Sequence, residues 1–242
     1  MENYKIITDE NALREFIEFL PELGDGECYY YSLFARNKYD STNVLKADKQ
    51  QLKRGTSTKE FLFEKIKNLE IEIGGYKQNH IPVPQEALAL YISPNPRSYE
   101  KATKIALKKL LDLVLEKYSG YNPHQEVLSA IQKSCGRKIF YDFDFDGVDF
   151  EDVRDELLNS INPECLNIIV TRGGFHLLVE FSKLGKEYKK NWYNNIVAIK
   201  GVDIRTKYDS DKDGNDNSEE DKGILPCVGC CQGGFVPKLI KL

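Results

Sequence analysis

Residues Ile139-Phe140-Tyr141-Asp142-Phe143-Asp144 alternate in a pattern suited to an extended strand. Successive side chains of a strand point to opposite faces, so Asp142 and Asp144 share one face and Phe143 takes the other. Two carboxylates about 7 Å apart on one strand repel each other unless a cation lies between them. Their hard oxygens suit Mg²⁺ or Mn²⁺. The segment therefore reads as a strand, Lys138–Asp144, ending in acids that are either solvated or metal-binding.

The neighbouring segments build a sheet around it. Leu166–Thr171 and Phe175–Phe181 flank Arg172-Gly173-Gly174 at hairpin spacing, and Val202–Ile204 reads as a further short strand. Those strands and the acidic one are expected in a single sheet that contains antiparallel pairs. Glu151–Ile161, with Asp149 near its N-cap, and Tyr188–Ile199 carry helical spacing. Upstream, Asn11–Leu20 predicts a helix closed by Pro21, and Cys28–Ala35 a strand rich in tyrosine and phenylalanine. Residues 40–56 are polar and predict a loop, Thr58–Ile73 a helix, Ala87–Ile92 a buried strand and Tyr99–Tyr118 a long helix. A turn-like stretch, Gly120–His124, marks an expected division into an N-terminal α/β module (1–120) and a second module (121–242).

Five further positions add chemistry to the acids. Arg172 can donate bidentately to a phosphate, Gly173 and Gly174 let a phosphate approach the backbone, and His176 can bond a phosphate oxygen. Asp203, in Gly-Val-Asp-Ile-Arg, can complete a carboxylate cluster with Asp142 and Asp144. Three acids, divalent ions and a phosphate clamp are the apparatus of in-line phosphoryl transfer. In the N-terminal module, Arg36 and Lys38 follow a strand, and Arg97 follows a proline-broken strand end at an expected rim. These three are candidate nucleic-acid contacts.

Net charge is −4, but seven acids and one lysine lie between Asp209 and Asp221. Removing that local −6 leaves +2 on the rest, with lysine clusters at Lys101–Lys109 and Lys183–Lys190. The body permits a nucleic-acid partner. No apolar run reaches the roughly 18 residues of a membrane span. The first residues lack a secretory pattern, so a cytosolic protein with reduced thiols is expected. Cys227, Cys230 and Cys231 lack a second ligand pair at zinc spacing; small buried residues in a tight loop are expected rather than zinc.

In order and content these segments resemble the archaeo-eukaryotic primase superfamily, which includes PrimPol-type enzymes of phages and plasmids. Its three short motifs are three hydrophobic residues followed by Asp-hydrophobic-acid, then small-any-His, then hydrophobic-Asp. Ile139–Asp144, Gly174-Phe175-His176 and Val202-Asp203 match them in that order, over roughly residues 137–242. The tail from Leu225-Pro226-Cys227-Val228-Gly229 to Pro237-Lys238-Leu239 is similar to the loop and strand that close many phage versions, with the usual Pro-Gly-Thr replaced.

The resemblance implies an α+β fold, with an RRM-like antiparallel catalytic sheet and an N-terminal α/β module. It implies a DNA primase or primase-polymerase, a nucleotidyltransferase acting on single-stranded DNA template with NTP or dNTP substrates. It assigns two Mg²⁺ or Mn²⁺ ions to Asp142, Asp144 and Asp203. The nucleotide phosphates go to Arg172, Gly173, Gly174 and His176, and Arg205 and Lys207 serve those phosphates or the template. A separate replicative helicase is the expected partner, in a host cytoplasm if the chain is phage-encoded.

Two other readings compete with this one. A metal-dependent nuclease also uses clustered acids, with His176 acting on water. Asp209-Ser-Asp211-Lys-Asp213-Gly214, followed by Glu220, matches a calcium-binding EF-hand loop, although strand precedes it and Pro226 prevents a helix after it.

Overall fold

The computed structural model describes residues 2–115, 122–203 and 223–242. Its elements begin with α1 (Glu10–Phe19), β1 (Glu27–Arg36), β2 (Lys49–Ser57), α2 (Leu62–Lys67), β3 (Lys77–Gln78) and β4 (Ile81–Pro82). They continue with β5 (Leu88–Ile92), β6 (Arg97–Ser98), α3 (Tyr99–Leu115), α4 (Pro123–Lys133) and β7 (Phe140–Asp146). The last are α5 (Phe150–Ser160), β8 (Leu166–Thr171), β9 (Gly174–Glu180), α6 (Trp192–Ala198), β10 (Leu225–Pro226) and β11 (Lys238–Lys241).

The fold is α+β with antiparallel sheets. The first sheet runs β10-β5-β1-β2, with β6 also on β1, and the second runs β11-β8-β9-β7. Residues from the second half of the chain thus complete both sheets. The segment expected to divide two modules is partly outside the described residues; where description resumes, Asn122 caps α4 by accepting from the His124 N–H at 3.1 Å.

The two sheets share a core. One face of β1 (Tyr29, Tyr31, Leu33, Ala35) packs with Leu13, Phe16 and Ile17 of α1, and the same cluster takes in Phe140, Ile169 and Leu178 of the second sheet. The second sheet's other face, with Phe143, Phe145, Phe175 and Leu177, is covered by Leu157 of α5 and Trp192 and Ile196 of α6. Alternation along β7 and β9 therefore puts Asp142, Asp144 and His176 on the face that meets the first sheet, beyond its buried strip.

Asn95 joins the sheets. Buried at 3% exposure, its Oδ1 accepts from the N–H groups of Ile139 (2.9 Å) and Phe140 (2.8 Å), and its Nδ2 donates to the Phe140 carbonyl (2.8 Å). Arg137, two residues before that contact, grips Glu27 through Nε and Nη2 and holds its carboxyl below the usual range. Asn95→Ala strips partners from buried peptide groups at the start of β7 and is expected to cost about 3 kcal/mol. Chemical denaturation checks this; a loss under about 1 kcal/mol would mean that water replaces the amide.

Three expectations are corrected and one helix is added. Residues 40–56 contain β2, an edge strand stabilised by polar pairing rather than apolar burial: Gln51 Nε2 donates to Ser32 Oγ (2.7 Å) and Tyr30 Oη (3.0 Å). The helical spacing over 58–73 yields only α2, because Glu70 turns back to accept from the N–H groups of Ile6 (3.0 Å) and Ile7 (2.9 Å). Helix α4 was not foreseen; Pro123 occupies its first turn, where a missing N–H does no harm. Arg97, expected at a rim, is 0% exposed, because β6 pairs with β1 on one side and Arg97 bridges to Cys135 on the other. Its Nη2 donates to the Gly223 carbonyl at 2.6 Å, so it is a core cation and not a template contact.

Cys227, Cys230 and Cys231 are buried in the shared core, and burial pushes the Cys231 thiol up to about 12. No described helix is long and apolar enough to cross a membrane.

Candidate functional site

Alternation along β7 continues past Asp144 to Asp146, which stands on the same face. Asp203 reaches these acids because Val202 bridges Phe145 and the Asp203 N–H donates to the Asp144 carbonyl at 2.8 Å. Gly201, at φ +96, lets the chain close in, its carbonyl accepting from the Asp146 N–H at 2.9 Å. One carboxylate oxygen from each of Asp144, Asp146 and Asp203 then lies within 4.8 Å of the others. A hard divalent ion binds oxygens at about 2.0–2.6 Å, so donors on opposite sides of it stand about 4–5 Å apart. The three acids fit one shared cation without backbone movement.

Asp142 takes a different part. Its Oδ1 lies 2.9 Å from His176 Nδ1, and His176 Nε2 lies 3.7 Å from Asp144 Oδ1. The register explains this: β7 and β9 pair antiparallel with Asp144 opposite His176, so His176 sits beside both acids. Burial opposes charging the imidazole, yet Asp142, through charge and hydrogen bond, and then Asp144 and Asp146 outweigh it and push His176 up to about 9. Burial also raises the Asp144 carboxyl; His176 pulls it back, and Asp146, Asp142 and Asp203 push it further up. A half-buried carboxylate crowded by three others favours a bound cation.

The sequence-derived triad is thus redrawn. Asp144 and Asp203 meet as expected, Asp146 joins them, and Asp142 supports His176. Asp-Phe-Asp-Phe-Asp can be read as Asp-hydrophobic-Asp in two registers two residues apart, and both lie on one face. The signal for Asp146 was the continued alternation.

The hairpin glycines also differ from expectation. Gly174 (φ +148) faces backbone, not open space: a Cβ there would lie 1.9 Å from the Phe145 carbonyl oxygen. Gly173 is exposed, its carbonyl accepts from the Gly147 N–H at 2.7 Å, and its Cβ position is 4.0 Å from Asp146 Oδ1. Arg172 is held from three sides. Its backbone N–H donates to Gln232 Oε1 at 2.9 Å, Nη1 donates to the Gly233 carbonyl, and the guanidinium lies 4.7 Å from the Tyr39 ring centre.

Tyr39 gathers the other cations too. Lys38 Nζ is 5.2 Å and Arg36 Cζ 5.9 Å from its ring, and Arg36 Nη1 donates to Tyr91 Oη at 2.9 Å. Among the described residues no carboxylate pairs with Arg36, Lys38 or Arg172. Three cations around one ring repel each other, so the arrangement favours an anion. Tyr39 and Gln232 carried no signal in the sequence; only the fold brings them to the hairpin. Arg205, Lys207 and the Asp209–Glu220 segment lie outside the described residues.

Comparison with protein-family models, with curated proteins and with solved structures finds no match to this chain.

Proposed function

We propose that the chain is a metal-dependent nucleotidyltransferase of the archaeo-eukaryotic primase type, making or extending a strand on single-stranded DNA from NTPs or dNTPs. The observation that carries this reading is the Asp144–Asp146–Asp203 cluster beside His176, with Arg172, Arg36 and Lys38 gathered on Tyr39. Acids for divalent ions and cations for a polyphosphate sit at the two sides of one hairpin. The antiparallel second sheet supports the RRM-like part of the reading.

Bound Mg²⁺ or Mn²⁺ would lower the pKa of an attacking 3′-hydroxyl and neutralise a departing pyrophosphate. The protein's own groups do the rest. Asp144 and Asp146 on the end of β7, with Asp203 beside them, would hold the cations. His176, oriented through Nδ1 by Asp142, presents Nε2 toward the reacting phosphate. Arg172 is fixed by Gln232, Gly233 and Tyr39, so it binds phosphate oxygens with little loss of side-chain freedom.

The test is extension on primed and unprimed single-stranded DNA with Mg²⁺ and with Mn²⁺. The wild-type protein incorporates labelled nucleotide, and EDTA stops it. Asp142→Asn slows incorporation by about 10–100-fold while Mn²⁺ binding, read by electron paramagnetic resonance, persists, as for a residue acting through another. Release of cleaved DNA without incorporation overturns the proposal in favour of a nuclease.

A further inference from the structure

We propose that the opposite end of the β7–β9 pair carries a second surface, separate from the acidic cluster, that binds single-stranded nucleic acid through the rings of Phe181 and Tyr141 and the cations of Lys138 and Lys189. Phe181 directly follows β9 and is 41% exposed. Tyr141 lies beside it, with ring centres 5.8 Å apart. Both rest on Trp192, at 5.1 Å from Tyr141 and 6.3 Å from Phe181, and Trp192 is itself 6% exposed. The rings are therefore backed by packed core and presented with few accessible conformations. Base stacking on such a platform costs little ordering.

The charges fit the same ligand. Lys138 Nζ lies 4.2 Å from the Tyr141 ring centre and Lys189 Nζ 5.8 Å from that of Phe181. Among the described residues neither lysine pairs with a carboxylate; Glu180 is engaged by Lys183 at 2.8 Å. Lys186 and Lys190 are exposed on the same short segment, against the single acid Glu187. The residue before Lys138, Arg137, is paired with Glu27 at 2.6 Å, which ties the backbone at this end of β7. Aromatic rings interleaved with unpaired cations match a sugar–phosphate strand with exposed bases, where cations follow the backbone and rings take the bases. An apolar protein segment would leave the lysines unused.

The surface is distinct from the acidic cluster. Tyr141 points to the other face of β7 from Asp146, and five residues of strand, about 17 Å, separate them. The proposal goes beyond the primase reading and does not rely on it, because binding here needs neither metal nor nucleotide.

The test is fluorescence anisotropy with a roughly 20-nucleotide oligo-dT in EDTA, over a range of salt concentrations. Lys138→Gln/Lys189→Gln should lower the slope of log K against log salt by about 1.4, since each contact on a single strand contributes about 0.7. Phe181→Ala should weaken binding about tenfold without changing that slope. The lysine variant changes only surface groups and keeps the test valid if Phe181→Ala folds poorly. Asp144→Asn should bind oligo-dT as the wild type does, whether or not the protein polymerises. Wild-type affinity and slope in the lysine variant overturn the proposal. So does binding to phosphatidylserine vesicles with none to oligo-dT.

Discussion

Asp144→Asn is expected to abolish metal-dependent nucleotide incorporation, by more than about 100-fold, while leaving the metal-free protein at least as stable as the wild type. The two halves of this result share one cause. Asp144 stands at the centre of the acids, its carboxyl raised by burial and by Asp146, Asp142 and Asp203 despite the pull of His176. A raised carboxyl pKa means that ionisation is harder in the folded state than in the unfolded one. Stability therefore falls as pH rises through the window between the unfolded and folded values, and at neutral pH the ionised group opposes folding. Asparagine removes that opposition and a metal ligand together. Thermal melts in EDTA read the first effect, Mn²⁺ titration and primer extension the second. Asp146→Asn should behave alike. If Asp146→Asn is fully active while Asp142→Asn loses metal binding, the cation sits one register further back along β7.

That choice of register shows where the sequence was legible. Alternation fixed β7 as a strand and set its acids on one face, because the aromatic side had to be buried. It could not say which two acids face the third, since Asp142, Asp144 and Asp146 repeat with the same period. The choice depends on Asp203, which reaches β7 across more than fifty residues through two backbone contacts, to Phe145 and Asp144. Local periodicity carries no information about such a contact. The hairpin was legible for the opposite reason: its turn residues lie within the segment they connect.

The misreadings have physical causes as well. β2 looks like a loop because Lys49-Gln-Gln-Leu-Lys-Arg buries no apolar stripe; its stability comes from an edge position and from the polar side chains of β1. Arg97 was read as exposed because charged residues after a proline-broken strand usually are. Here the strand resumes as β6 and draws the guanidinium inside, where it reaches Gly223. Arg36, Lys38 and Arg172 were each legible as cations. Their convergence on Tyr39 is a property of the fold, since that ring lies 133 residues before Arg172.

Gly174→Ala is expected to be the most damaging single substitution in the hairpin, and Gly173→Ala next to it nearly silent. At Gly174 the backbone has φ +148, and a Cβ would lie 1.9 Å from the Phe145 carbonyl oxygen, 3.1 Å from its carbon and 3.3 Å from the Val148 carbonyl. Those are main-chain atoms of β7 and of the turn after it, so no side chain can move aside. Relief requires β9 to separate from β7 where Gly174 faces Asp146. A loss of about 4 kcal/mol or more follows, a drop of roughly 10 °C in Tm for a chain of this length. Because the strained pair includes Asp146, the surviving folded protein should also bind Mn²⁺ more weakly, while His176, two residues on, keeps its partner Asp142. At Gly173 the nearest atom to a Cβ is Asp146 Oδ1 at 4.0 Å, an ordinary contact, and the residue is exposed. Alanine there should change stability by no more than about 0.5 kcal/mol. Thermal melts of the two variants side by side distinguish a glycine required by packing between backbones from one that leaves room for a phosphate. Equal and small losses would show that β7 and β9 separate at this end without resistance, and Asp146 would then have no rigid support.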